Sequence, residues 1–180
     1  MKYSSIALLL LLSSVAASTS YAGDFSLTSH DIMEGQRMAK TFEFTGFGCS
    51  GDNLSPQLSW QNAPKGTKSF AITAYDPDAP TGSGWWHWSA IDIPANVSEL
   101  PRGVDLKKVG ATEIRNDYGA KGFGGVCPPE GDGMHRYQFT VWALPEAKLD
   151  LDSNSSPALV GFMLNAMALD KATLTATYVR

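Results

Sequence analysis

Apolar and polar residues alternate with a period of two in several short stretches of this chain. Tyr137, Phe139 and Val141 fall on one side of residues 136–144, with Gln138 and Thr140 on the other. Near the end, Leu174, Ala176 and Tyr178 alternate with Thr173, Thr175 and Thr177. Shorter runs of the same kind lie at residues 41–44, 69–75 and 87–93. Alternation punctuated by Gly, Pro, Asn and Asp predicts strands, largely antiparallel. One stretch follows a different spacing: Leu159, Val160, Met163, Leu164 and Met167 recur at helical intervals. Ser156 is a good N-cap for that helix and Pro157 fits its first turn. The methionines there read as core filler. With no repeat and no linker, the pattern predicts a single, mainly β (α+β) domain with a helix or two packed on its sheets.

The first 22 residues depart from this pattern. Lys2 is followed by the apolar run Ile6 to Leu12 and then by small residues up to Ala22. This predicts a secretory signal peptide cleaved after Ala22, because the run is short for a membrane span. The expected product is one domain of residues 23–180, periplasmic or secreted and not an integral membrane protein. Loss of Lys2 takes the formal charge from −4 to −5. A mildly acidic domain without a Lys/Arg cluster argues against nucleic acid as a partner. Export places Cys49 and Cys127 in an oxidising compartment, where a disulfide is expected; two separate thiols are the alternative.

Candidate chemistry gathers in long glycine-rich loops and at strand ends. The stretch 46–51, "GFGCSG", formally matches a dinucleotide fingerprint, but Pro56 follows where a helix should run, so no cofactor is assigned. Residues 75–88, "YDPDAPTGSGWWHW", place Asp76 and Asp78 at a proline corner and His87 at the start of a strand. His135 opens another strand after "CPPEGDGM". Asp76, His87 and His135 thus lie where strands meet loops, and three strand ends can converge at one rim. Four readings are open: a metal site, an acid–base pair with an activated water, satisfied core residues, or a small anion site. The surroundings favour the last. Pro77, Pro80, Pro128 and Pro129 stiffen the walls, and the corner is a candidate for a cis bond. Gly122, Gly124 and Gly125 let amide hydrogens approach an anion. Asp76 can fix the tautomer of His87 or accept from a ligand ammonium. Trp85, Trp86, Trp88 and Tyr137 offer aromatic faces to a cation, with at least one of the tryptophans expected in the core.

These segments, together with "GDNLSPQLSW" at residues 51–60, resemble the phosphatidylethanolamine-binding protein family, in its exported bacterial Raf-kinase-inhibitor-like branch. The resemblance covers residues 25–180. It implies a large antiparallel sheet packed on a smaller one, a few flanking helices, and a small anion pocket at one end. It implies ligand-binding roles for Asp76, His87, Pro128, Pro129, His135 and Tyr137, with Pro77, Pro80, Trp86 and Gly125 at the rim. Arg136 and Asp78 are each expected to make a structural ion pair and to take no part in binding. Animal members carry two adjacent histidines where this chain has Trp86-His87, and a C-terminal helix where this chain reads as a strand. The implied ligand is a phosphorylated small molecule or a phospholipid headgroup of the phosphoethanolamine type, bound without metal or cofactor. Two alternatives accompany it: an inhibitor-like partner of another protein, and a His/Asp hydrolase.

Overall fold

The computed structural model describes residues 23–180, so the predicted signal peptide lies outside the described residues. Among the described residues three sheets are present, all pairing antiparallel within their ladders. Strands β1 (Ser26–Thr28), β4 (Leu58–Gln61) and β7 (Glu99–Leu100) form a small sheet in the order β1-β4-β7. Strands β2 (Thr45–Gly46) and β3 (Cys49–Ser50) form a two-stranded ribbon. The large sheet runs β10 (Asp170–Tyr178), β9 (His135–Leu144), β5 (Ser69–Asp76), β6 (Trp85–Pro94), β8 (Thr112–Glu113). The short helix α1 (Leu106–Val109) starts at Asp105, whose side chain accepts from the Lys107 amide. The helix α2 (Pro157–Met167) starts as expected at Ser156, whose hydroxyl accepts from the Leu159 amide.

One face of the large sheet meets the small sheet across the main core. Phe70, Ile72 and Ala74 of β5, Phe139, Val141 and Ala143 of β9, and Leu174 and Ala176 of β10 enter that core with Leu27, Leu58, Trp60 and Leu100. Period-two alternation therefore assigns the faces as the sequence predicts. The opposite face is partly covered by α2, whose Val160 and Leu164 pack on Ala71, Ile91 and Trp142.

The alternation at residues 41–44 does not make a strand. Lys40–Phe42 is a 3-10 turn, and Glu43 is buried at 6% exposure. Its carboxylate accepts from the Tyr178 hydroxyl at 2.6 Å and the Ser50 amide at 2.7 Å. Those two partners draw the polar residue of an apparently half-exposed pattern inward, and the period-two reading fails there.

Candidate functional site

The core face of the large sheet does not stay apolar to its end. On β5 the inward series Phe70, Ile72, Ala74 ends in Asp76, and on β9 Val141 and Phe139 lead back to Tyr137 and His135. All of these final residues are buried, with Asp76 and His135 at 2% and Tyr137 at 1% exposure. His87 joins them through an irregularity. On the β5–β6 ladder Ala74 pairs with Trp88 but Tyr75 pairs with Trp86, leaving His87 as an extra residue. This bulge lets His87 and Trp88 turn to the same side, where plain alternation would separate them. Trp88 enters the core; His87 and Trp85 line a cavity beyond it.

That cavity measures about 170 Å³. It is small against the roughly 300–1,000 Å³ of sites that hold drug-sized molecules. Asp76, His87, His135 and Tyr137 line its inner part, and Pro80, Pro128 and Pro129 line its walls. The remaining walls are Trp85, Tyr118, Phe47, Cys127, Ala79 and Thr81. Phe47 and Tyr118 come from the two glycine-rich loops, whose lack of periodicity hid which side chains turn inward. The Tyr118 ring stacks on Phe44 at 4.0 Å and meets Trp85 edge-on at 5.2 Å.

Three residues expected at the rim lie elsewhere. Pro77 is held inside the turn that Asp76 closes by accepting the Asp78 amide at 2.8 Å. Trp86 lies against Tyr75 on the other face of the sheet, beside Gly161 of α2. Gly125 is there for close packing: a Cβ would stand 2.4 Å from the Phe42 carbonyl oxygen. The glycine amides also have other partners. Gly124 N–H donates to His87 O at 2.8 Å and Gly125 N–H to Asn53 Oδ1 at 2.7 Å. Gly122 is outside the lining, packed near Glu113. Every peptide bond among the described residues is trans, the proline corner included.

The electrostatics differ from the expected Asp76–His87 pair. Asp76 Oδ2 lies 2.7 Å from His135 Nδ1 instead, and Asp132 Oδ2 lies 3.2 Å from His135 Nε2. Burial opposes a charge on His135, but the two carboxylates outweigh it and raise its pKa. His87 Nδ1 faces the carbonyl oxygens of Gly124 at 2.8 Å and Gly125 at 3.1 Å. Two acceptors require the hydrogen on Nδ1, so a neutral His87 keeps Nε2 as an acceptor. Burial pushes the His87 pKa down to about 4, only partly offset by the two glycine carbonyls and Asp76. Outside the cavity the structural roles expected of Asp78 and Arg136 are met by each other: Asp78 takes Nε and a terminal nitrogen of Arg136 at 2.9 and 2.7 Å. That guanidinium holds the Asp78 carboxyl down at about 2. No cluster of three or more metal-ligating side chains occurs among the described residues.

The two histidines give stability opposite pH dependences. His87 has a folded pKa below its unfolded value of roughly 6.5, so its contribution is full above pH 6.5 and falls as pH drops towards 4. His135 has a raised folded pKa, so its contribution is full below roughly pH 6.5 and falls as pH rises through that folded value. Replacing His87 with Gln is expected to flatten the acid limb of a stability–pH curve between pH 6.5 and 4. Urea midpoints at intervals across that range check this, and an unchanged acid limb would contradict the assignment of a buried neutral ring.

The sequence profile of the phosphatidylethanolamine-binding protein family matches residues 28–179. The chain is 53% identical to the UPF0098 protein YbcL of Escherichia coli K12, over 87% of this chain and 88% of that protein. The crystal structure of E. coli YbcL, described as a new member of the mammalian PEBP family, superposes with a TM-score of 0.84 at 52% identity. It covers 88% of this chain and 99% of that one. A Mycobacterium tuberculosis protein whose name is "Putative lipoprotein LppC" is 32% identical over 73% of this chain and 63% of its own length. Profile, sequence and fold agree: the chain belongs to the phosphatidylethanolamine-binding protein family.

Proposed function

We propose that this protein is an exported binder of small phosphorylated ligands, with a phosphoethanolamine-type zwitterion as the best-matched class. One observation carries the reading: the cavity is lined by a buried Asp76–His135 couple and by two side chains whose buried donors have no acceptor among the described residues. Trp85 and Tyr137 line the cavity, and Trp85 Nε1 and the Tyr137 hydroxyl are buried without a hydrogen-bond partner among the described residues. Buried donors without acceptors are unfavourable unless a ligand or solvent supplies one. Phosphoryl oxygens suit them, as they suit an imidazolium at His135. Among the described residues no Lys or Arg lines the cavity. A ligand carrying its own positive charge therefore fits better than a bare dianion. Its ammonium would find the acceptor nitrogen of neutral His87 and the aromatic faces of Trp85, Tyr118 and Phe47.

The lining hydroxyls argue against a hydrolysis that uses one of them as its nucleophile. Thr81 Oγ1 donates to Gly84 O at 2.5 Å, and burial raises the pKa of both Tyr118 and Tyr137. None is an activated nucleophile. Export is supported by the Cys49–Cys127 disulfide, which fits an oxidising compartment, and by kinship with a protein named as a lipoprotein.

Calorimetry with O-phosphorylethanolamine tests the proposal. Saturable binding is expected, weakened about tenfold or more by His135→Ala, which removes a charged donor. Tyr137→Phe, which keeps the ring, should weaken it less. Co-sedimentation with vesicles containing phosphatidylethanolamine separates a lipid-borne headgroup from a free one. Absence of binding to both forms, or binding indifferent to both substitutions, would overturn the reading.

A further inference from the structure

The imidazole that would meet the phosphoryl group already has an anion on each side. Asp76 holds Nδ1 from the interior. Asp132 holds Nε2, and its side chain is 40% exposed where that of Asp76 is 3% exposed. The carboxylates thus play different parts. Asp76 is fixed twice, by His135 and by the Asp78 amide. Asp132 is attached through its side chain to His135 and sits within the exposed run Pro129 to Met134.

The backbone there is suited to movement. Gly131 and Gly133 flank Asp132 with φ of +80° and +96°. A Cβ on either would meet nothing within 4 Å, so these glycines serve backbone freedom and not close packing. The run is tied by the Gly131 amide to Arg180 O and the Asp132 amide to Pro129 O, both at 3.2 Å.

Resting on the binding function proposed above, we infer that Asp132 is a tethered competitor for the ligand's anion. Its carboxylate holds the one nitrogen of His135 that a phosphoryl group can take, and a ligand enters by displacing it about the Gly131 and Gly133 hinges. The device sets specificity as well as access. A ligand must offer His135 a stronger acceptor than a carboxylate, and the displaced Asp132, now without its partner but still tethered beside His135, repels further negative charge and favours a ligand bearing an ammonium. A monocarboxylate exchanges one carboxylate for another and gains nothing, whereas a phosphoryl group brings three acceptor oxygens and up to two charges.

Orthophosphate, which has no ammonium, is the discriminating probe. Its affinity should be measured by calorimetry at pH 6 for the wild type, Asp132→Asn, Asp132→Glu and His135→Ala. Asp132→Asn is expected to bind orthophosphate about fivefold more tightly, the factor that removing one partly exposed charge supports. It should also narrow the preference for O-phosphorylethanolamine over orthophosphate. Asp132→Glu keeps the charge and should stay near wild type. If Asp132→Asn binds orthophosphate no better than the wild type, or worse, Asp132 only supports the imidazolium and the inference is overturned. If neither probe binds wild type or Asp132→Asn, or if His135→Ala binds as well as both, the cavity itself is not the site, and the inference falls with the proposed function.

Discussion

Asp76→Ala is expected to destabilise the fold by about 3 kcal/mol at neutral pH and to remove binding of phosphorylated ligands. Breaking a buried charged pair by deleting one member costs roughly 3–5 kcal/mol, because the survivor stays buried without its partner. Here the survivor is His135, left with Asp132 alone, and the Asp78 amide loses its acceptor as well. The lower end of the range applies because an imidazole can shed its proton. Asp76→Asn isolates the charge. With Asp76 neutral, burial is opposed by Asp132 alone, so the His135 pKa should fall from its raised value. Denaturant midpoints at pH 7 and an NMR titration of the His135 ring check both halves. A loss under about 1 kcal/mol, or a His135 titration indifferent to Asp76→Asn, would mean that the pair does not organise the cavity.

That prediction depends on a partnership that spacing could not assign. Alternation along residues 136–144 was enough to send Tyr137 inward and Arg136 outward, and carrying it back by one step buries His135. The proline corner likewise marked where β5 ends, and hence Asp76. Which imidazole Asp76 meets depends on the register of three strands, and a sequence does not display register. His87 is the clearest case. Beside two tryptophans on a regular strand it should share a face with one side of the alternation only, yet the bulge turns both His87 and Trp88 to the core side. Phe47, Tyr118 and Asp132 come from loops without periodicity, so their loops were visible as candidates and their side chains were not. Gly125 was legible as a glycine needed for close approach. What approaches is the protein's own segment at residues 42–44, not a ligand.

Removing the disulfide, by contrast, should damage stability and spare the site. Cys49 and Cys127 are bonded across a separation of 78 residues, with their Cα atoms 6.1 Å apart. A bridge of that span restricts the unfolded chain strongly, and the double variant Cys49→Ser/Cys127→Ser is expected to lose about 4 kcal/mol. The cavity wall beside it has independent support. Phe44 N–H donates to Val126 O at 3.0 Å, Val126 N–H to Phe42 O at 3.1 Å, and Gly125 N–H to Asn53 Oδ1 at 2.7 Å. These bonds hold the Cys127-Pro128-Pro129 wall against residues 42–53 without the sulfur link. Because the disulfide acts mainly on the unfolded state, ligand affinity of the folded variant should change less than about threefold while the denaturation midpoint falls steeply. Guanidinium melts with and without reductant, paired with calorimetry at 15 °C, separate the two effects. A parallel collapse of affinity and stability would instead show that the wall to which Cys127 contributes needs the bridge to hold its position. Full alkylation of both cysteines in denaturant without reductant would show that the bond does not form at all.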